Sequence, residues 1–227
     1  LGRSSKKTIQ QSSAIFCLGD DDLKTFKKFY PKNKSKIIKT GSPRVDLWKS
    51  TFFNYWGAPN KKPKKPYLLV SSNMGTSNGI NSTSDVIKIF KDLGYLQRNS
   101  KLFNEYFELI AEDSIKTSDF VEAIKHLANE NKEYDIVLRP HPIEDIEAWR
   151  LYLGNIPNVH VIREGSITAW VNNAFAVMHN GCTTALEASV IGKPVITYLP
   201  SNRKYMKNFP NKLGFRVNSL KQLSNKV

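Results

Sequence analysis

Short apolar runs alternate with helical patterns after residue 66, and this alternation constrains the fold more than any other feature of the sequence. The runs cover residues 67–71, 135–138, 159–162, 174–178 and 194–198. Continuous apolar runs of this length are typical of strands that helices cover on both faces. The pattern therefore predicts an α/β fold with a doubly wound parallel sheet and a Rossmann-like arrangement.

Helical periodicity fills the intervals between these predicted strands. The predicted helices cover residues 84–93, 101–111, 118–131, 143–153, 167–173 and 184–191. Residues 57–66 are rich in lysine, proline and asparagine, and we interpret them as a stiff, solvated linker. Residues 1–56, with a strand, helix and strand pattern from residue 14, are then the end of a preceding α/β domain, and residues 67–227 form the main domain. Because the chain begins at Leu1 rather than Met, we expect a truncated N-terminal domain.

The charge balance is strongly basic, with 34 Lys and Arg residues against 20 Asp and Glu residues, a net charge of +14. This field attracts nucleic acid, an anionic membrane and nucleotide-activated sugars alike. A non-enzymatic nucleic-acid-binding protein is therefore an alternative of another class. The lysines are scattered and aromatic residues are not interleaved with them as a stacking platform requires, so we expect no nucleic-acid partner.

Cysteine usage and hydropathy indicate the compartment. Cys17 and Cys182 have no paired spacing typical of a metal site or a disulfide framework, which favours a reducing cytosol. No run of about 18 apolar residues exists, so any membrane contact is expected to be peripheral. We predict a cytoplasmic protein that contacts the inner face of the membrane.

The loops after the predicted strands are the places to look for a site, because ligands of open parallel sheets bind beyond the carboxyl ends of the strands. After the first strand, Ser72 and Asn73 begin a small polar loop that contains Gly75 and Gly79. Such a loop lets backbone N–H groups approach a phosphate or a sugar. A plain strand-to-helix turn has the same composition, and both interpretations stay open.

After the second strand, Pro140 and Pro142 flank His141 and fix the backbone on either side of it. The imidazole is therefore presented from a rigid corner rather than from a helix. Arg139 adds a cation whose geometry suits a phosphate. A rigid turn with a packed histidine is the alternative, and the position at a strand end favours a functional role for His141.

After the fourth strand, Asn180 and Gly181 lead into a helix that begins at Thr183 and Thr184. Gly181 allows a tight turn, and the two threonines are expected to cap the helix or to donate hydroxyl hydrogen bonds to an anion at its positive end. Glu187, one turn later, is a candidate for binding sugar hydroxyls or for completing a capping box. Cys182 has no evident partner base, which disfavours a catalytic thiol.

Taken in order, these elements resemble bacterial surface carbohydrate biosynthesis proteins with the GT-B glycosyltransferase fold. The elements are the Arg-Pro-His-Pro corner at 139–142, Gly165-Ser166 before a short helix, residues 179–188, and Gly192-Lys193-Pro194-Val195-Ile196. Residues 40–46 resemble the segment near the domain crossover of that family. The resemblance implies a capsule or lipopolysaccharide glycosyltransferase whose main domain binds a nucleotide-sugar donor, and whose acceptor is a glycan or a lipid-linked glycan.

Relatives with a similar His-Pro element include Kdo and sialic acid transferases, which use CMP-activated sugars. By that resemblance His141, Thr183 and Thr184 hold the donor phosphate, with Ser72, Asn73, Arg139, Asn180, Gly181 and Glu187 around the same cleft. Threonine replaces the usual serine pair, so a CMP donor is less firmly implied. Two other enzyme classes remain open, CDP-glycerol polyol-phosphate transferases and sugar-nucleotide 2-epimerases. Nucleoside-diphosphate sugars remain open as donors.

The expected mechanism is metal-independent and needs no cofactor, since donors aimed at a leaving phosphate supply the main catalytic effect. His141 stabilises the leaving phosphate in this hypothesis, and no cluster of Asp-x-Asp type appears. The base is unknown. Glu108, Glu112 and Asp113 precede the second strand, but we expect them to be solvated on a helix surface.

Overall fold

The computed structural model describes residues 5–96, 101–201 and 208–227. The chain divides into two compact units, residues 1–49 and residues 50–227. Residues 57–66 group with the second unit, where Lys61 Nζ lies 2.9 Å from Glu164 Oε2 and Lys65 Nζ donates to the Lys132 carbonyl at 2.6 Å. The division into domains at 56 and 67 stays a prediction.

The first unit is a small α/β arrangement built on two short strands. Its elements are α1 (Lys6–Gln11), β1 (Ile15–Cys17), α2 (Asp20–Phe29), a 3₁₀ helix (Pro31–Lys36), β2 (Ile37–Lys39) and α3 (Pro43–Asp46). The strands pair in parallel, with Ile15 opposite Ile37. Ile9, Cys17, Ile37 and Trp48 are its buried apolar residues among those described.

The second unit carries the main sheet. Its helices are α4 (Phe53–Trp56), α5 (Thr83–Asp92), α6 (Lys101–Glu130), α7 (Ile146–Leu153), α8 (Ile167–Asn173), α9 (Thr184–Ile191) and α10 (Leu220–Ser224), with 3₁₀ helices at Ser50–Phe52 and Pro210–Lys212. Its strands are β3 (Tyr67–Ser71), β4 (Asp135–Arg139), β5 (Val159–Val161), β6 (Ala176–His179), β7 (Val195–Tyr198) and β8 (Phe215–Val217). All adjacent strands are parallel, in the order β5-β4-β3-β6-β7-β8. The predicted doubly wound parallel sheet is confirmed.

Strand alternation sends side chains to two faces, and helices cover both. Leu68, Val70, Ile136 and Leu138 pack with residues of α6 and α7 on one face in a single apolar cluster. On the other face the hydroxyl of Tyr67 donates to the Trp170 carbonyl of α8 at 2.6 Å. Because both faces are buried, the strands read as continuous apolar runs in the sequence.

Two features of the fold differ from the sequence predictions. Residues 101–130 form one helix, where two were expected. Asp113 and Thr117 look like helix breakers, but Thr117 Oγ1 donates to the Asp113 carbonyl at 2.9 Å within the helix, and Asp113 pairs with Lys116. The short β8 and α10 were missed because they contain too few residues for a periodic pattern.

In the part of the chain that the structure describes, no helix is long and apolar enough to cross a membrane.

Candidate functional site

Three central strands of the sheet end at the same level. Ser71 of β3 pairs with Arg139 of β4 on one side and with His179 of β6 on the other. The strand order reverses between β3 and β6, and this is the point of an open parallel sheet where ligands bind. The three loops that the sequence singled out are therefore neighbours.

A buried carboxylate joins the β3 loop to the β4 corner. Glu144 is fully buried, and its Oε2 accepts hydrogen bonds from Ser72 Oγ at 2.8 Å and from Trp149 Nε1 at 2.7 Å. Its Oε1 accepts from the backbone N–H groups of Met74 and His141, both at 3.1 Å. Four donors from three separate segments converge on one side chain. Ser72, predicted to contact the donor, is thus fully buried with its hydroxyl bonded to Glu144.

Backbone contacts reinforce the same junction. Ile80 N donates to the Ile143 carbonyl at 2.9 Å, and Asp145 N donates to the Asn78 carbonyl at 2.8 Å. Gly75 faces Ile143 so closely that an added Cβ would lie 2.3 Å from Cδ1 of that side chain. A side chain at this position would displace the exposed Ile143 side chain, so glycine favours the close approach of the β3 loop to the corner that carries His141.

His141 is half-buried at the end of β4. Its Nδ1 accepts a hydrogen bond from the backbone N–H of Ile143 at 3.3 Å. An accepting Nδ1 assigns the proton of a neutral imidazole to Nε2, which is then a hydrogen-bond donor. The local fold thus sets both the position and the tautomer of the predicted phosphate-binding histidine.

Arg139 is held inside the protein by contacts the sequence did not indicate. Its Nη1 donates to the Glu164 carbonyl, its Nη2 donates to the Gly165 carbonyl at 2.9 Å, and its guanidinium lies 5.5 Å from the ring centroid of Trp170. Burial lowers the pKa of Arg139 to about 10, and the positive charge of Arg163 contributes. These contacts give Arg139 a structural role, and its contact with a donor phosphate stays a prediction.

The turn after β6 has the tight geometry that the sequence predicted. Gly181 has a φ of 77°, in the region that favours glycine. Its N–H donates to Asn211 Oδ1 at 2.6 Å, and its carbonyl accepts from Asn73 Nδ2 at 3.4 Å. Asn180 is buried, and its Oδ1 accepts from Asn211 Nδ2 at 3.3 Å. Asn73 therefore links the β3 loop to this turn, so all three strand ends are connected.

The start of α9 presents one threonine to solvent and buries the other. Thr183 is exposed and makes no side-chain cap hydrogen bond, so the predicted capping by its hydroxyl is wrong. Thr184 is buried, and its Oγ1 accepts from Ser71 Oγ at 3.0 Å. Cys182 is buried beside them, with Sγ 3.1 Å from Ser71 Oγ. Glu187 is 1% exposed, so it lies beneath the surface of this helix start.

His179, the last residue of β6, is fully buried and directly precedes the predicted site residue Asn180. Its Nε2 lies 2.8 Å from Thr197 Oγ1, and that hydroxyl donates to the Leu213 carbonyl at 2.6 Å. Because the Thr197 hydroxyl proton is bonded to the Leu213 carbonyl, the Thr197 oxygen accepts and His179 Nε2–H is the donor. Burial lowers the pKa of His179 to about 4, so the ring is neutral near pH 7.

Two of the three acidic residues considered as bases are buried, which corrects the expectation of solvation. Asp113 Oδ2 accepts from the backbone N–H of Thr76 at 3.0 Å and so holds the β3 loop on α6. Glu112 is 6% exposed, whereas Glu108 is exposed as expected. No group of His, Cys, Asp and Glu side chains able to hold a metal occurs within residues 5–96, 101–201 and 208–227.

Sequence reasoning missed three residues that organise this edge of the sheet. Glu144 and Arg163 belong to no motif. The one signal for Glu144 is its position three residues after His141 and next to an apolar helix, which favours a buried contact. Asn211 lies 30 positions from its partner Gly181. No local pattern indicates a contact over that distance.

No protein-family model and no curated protein matches the chain. Solved structures do match. The structure of UDP-GlcNAc 2-epimerase from Methanocaldococcus jannaschii has a TM-score of 0.53 at 15% identity, covering 96% of this chain and 55% of that chain. A putative UDP-N-acetylglucosamine 2-epimerase from Listeria monocytogenes has a TM-score of 0.51 at 12% identity, covering 96% of this chain and 51% of that chain. A variant of the wall teichoic acid polymerase TagF has a TM-score of 0.51 at 11% identity, covering 97% of this chain and 50% of that chain.

These neighbours share one architecture. The fold is GT-B-like. At 11% to 15% identity the likeness shows the fold alone, and the chain spans about half the length of each of these proteins. Within the GT-B-like fold, the site at β3, β4 and β6 occupies the carboxyl edge where the strand order reverses.

Proposed function

We propose that the chain binds the phosphate of a nucleotide-activated sugar at the ends of β3, β4 and β6, and that it acts in glycosyl transfer to a bacterial surface polysaccharide. The observation that carries this proposal is the pair of donors on either side of β3. His141 offers Nε2–H after β4, and the exposed Thr183 hydroxyl stands after β6 at the start of α9. Two strand spacings separate β4 from β6, about 10 Å, which leaves room for a phosphate between the two donors.

In the proposed mechanism, negative charge develops on the leaving phosphate. The first turn of α9 carries the positive end of the helix dipole, although its Ala185 and Leu186 N–H groups already donate to the Cys182 and Thr183 carbonyls at 3.2 and 3.0 Å. The helix dipole, the Thr183 hydroxyl and His141 Nε2–H together stabilise that charge from fixed positions. Glu144 keeps His141 in place by binding its backbone N–H, so the donor does not reorganise during the reaction. No metal or cofactor takes part in this proposal.

We propose a CMP-linked sugar as the first donor to test, with nucleoside-diphosphate sugars next, and a glycan or lipid-linked acceptor. The protein is proposed to be cytoplasmic and to contact an anionic membrane through its +14 charge. The fold likeness to proteins named UDP-GlcNAc 2-epimerase and wall teichoic acid polymerase supports two alternatives, sugar-nucleotide 2-epimerisation and polyol-phosphate transfer. Product analysis separates these from glycosyl transfer.

A thermal-shift panel with CMP, CDP, UDP and GDP tests the binding step, because a ligand that binds only the folded state raises the Tm. We expect at least one nucleotide to raise the Tm, and we expect Thr183→Val to weaken its binding about tenfold with an unchanged Tm of the free protein. Thr51→Val, at an exposed threonine outside the site, is the matched control.

Turnover is tested with His141→Ala in the full-length protein, where nucleotide-dependent sugar transfer should be lost. If no nucleotide raises the Tm, the proposed site is wrong. If His141→Ala turns over like the wild type, the role of His141 is wrong.

A further inference from the structure

Arg163 follows β5 at the same edge of the sheet and was not among the predicted site residues. Pairing between β5 and β4 continues past the end of β5, since Ile162 N donates to the Leu138 carbonyl at 3.0 Å. Arg163 therefore lies beside the corner that carries His141. Its Nη2 donates to the backbone carbonyl of Glu144, the residue whose carboxylate binds His141 N.

Among the residues that the structure describes, Arg163 forms no ion pair with an acidic side chain. None of the ion pairs between described side chains includes Arg163, and its Nε is shielded from solvent without a hydrogen-bond partner in the described ranges. The adjacent Glu164 is turned to Lys61, with the Lys61 Nζ and Glu164 Oε2 atoms 2.9 Å apart. A half-buried guanidinium anchored by one nitrogen is thus left with uncompensated charge.

A second guanidinium, that of Arg139, lies close by and increases the excess of positive charge. The positive charge of Arg163, after burial, is a cause of the lowered pKa of Arg139. Arg139 also forms no ion pair among the described residues, since its nitrogens bind the backbone carbonyls of Glu164 and Gly165. The Glu164 carboxylate acts on the pKa of Arg139 in the opposite direction, but less strongly than Arg163, and it pairs with Lys61. An anion from outside the chain would therefore reduce the repulsion between the two guanidinium groups.

We propose that Arg163 binds a second anionic group of the substrate, apart from the phosphate at the start of α9. The inference rests on the proposed function for the first phosphate. Three strand spacings lie between β5 and β6, about 14 Å, which is too far for one phosphate to contact both Arg163 and Thr183. A substrate with two charged groups spans this distance along the edge of the sheet.

The chemistry of the second group is a carboxylate or a phosphate, since a guanidinium binds either through paired N–H donors. It belongs to an acidic sugar on the donor or to a phosphate-bearing acceptor. A neutral hexose offers no anion for Arg163. The proposal therefore narrows the substrates to those with a charge beyond the activating phosphate.

An NMR titration tests the proposal in the full chain, with the Nε–Hε signal of Arg163 as the readout. Acetate and inorganic phosphate are the probes, added separately after saturation with the nucleotide that gives the largest thermal shift. We expect one or both to shift the Arg163 signal saturably while the nucleotide stays bound. Arg163→Gln should weaken that anion's affinity about tenfold or more, because a hydrogen bond to a charged group is lost. Arg150→Gln, at an exposed arginine paired with Glu147, is the matched control.

A response to acetate alone assigns a carboxylate, and a response to phosphate alone assigns a phosphate. Absence of a saturable shift with either probe, or an unchanged affinity in Arg163→Gln, overturns the proposal. If no nucleotide binds, both probes are titrated into the free protein. A saturable shift that Arg163→Gln removes then supports the Arg163 site while the proposed function fails.

Discussion

Replacing Glu144 by Gln changes the junction between the β3 loop and the β4 corner with little change in volume. The wild-type carboxylate accepts from Ser72 Oγ, Trp149 Nε1, Met74 N and His141 N. A glutamine has one accepting oxygen and one donating NH₂ group. If the oxygen takes the place of Oε1, the two backbone bonds are kept and the NH₂ group faces the side chains of Ser72 and Trp149.

The expected cost follows from those four partners. The Ser72 hydroxyl is able to rotate and accept from the NH₂ group, but Trp149 Nε1–H is a donor only and loses its partner. A buried donor left unsatisfied costs about 1–3 kcal/mol, and about 2 kcal/mol corresponds to a Tm about 4–8 °C lower in a domain of about 150–250 residues. The opposite orientation loses both backbone bonds and costs more.

Thermal unfolding of Glu144→Gln against wild type measures this cost, with Glu147→Gln as the control. Glu147 is exposed and pairs with Arg150, so its replacement should change the free energy of unfolding by less than about 0.5 kcal/mol. We also expect Glu144→Gln to weaken nucleotide binding, because a neutral amide oxygen accepts from His141 N more weakly than the carboxylate does. A Glu144→Gln Tm within about 1 °C of wild type would refute the assignment of Glu144 as the joint between these loops.

Two further predictions concern the turn after β6. The pKa of His179 is about 4 in the folded chain, against 6.5 for the ordinary group, so the unfolded chain binds the proton first and stability falls as the pH drops from about 6.5 towards 4. The loss in the free energy of unfolding approaches about 3 kcal/mol. Profiles of Tm against pH should therefore diverge between wild type and His179→Gln in this window. Parallel profiles would contradict the prediction. Gly181→Ala should cost about 1–3 kcal/mol in chemical denaturation, because φ is 77° and a Cβ would lie 2.5 Å from Asn208 Nδ2. Gly192→Ala, with φ 87° and no neighbour within 4 Å, should cost less, and an equal cost would show that the contact with Asn208 is unimportant.

Local patterns in the sequence were sufficient for most elements of the main sheet. Helices α8 and α9 begin and end where the sequence predicts, at Ile167–Asn173 and Thr184–Ile191. Ser166 caps α8 through a 3.2 Å bond to Thr168 N, an interaction between residues two positions apart. Strand β3 was predicted to the residue because its apolar run is buried on both faces. The Gly181 turn was also predicted, since its requirement is conformational and local.

The distribution of polar contacts among the site residues was decided by the tertiary structure. The sequence did not indicate that Ser72 is bonded to Glu144, 72 positions away, or that Arg139 is bonded to carbonyls 25 and 26 positions away. Their contact with a donor stays a prediction. A buried polar group must find a partner, and which residue supplies it depends on the strands that become neighbours. By itself the sequence determined the strands from β3 to β7 and the loops that follow them, but not β8 or the continuity of α6. Only the packing of those loops decided that Glu144 binds His141 N, that Thr183 is exposed, and that Arg163 forms no ion pair among the described residues.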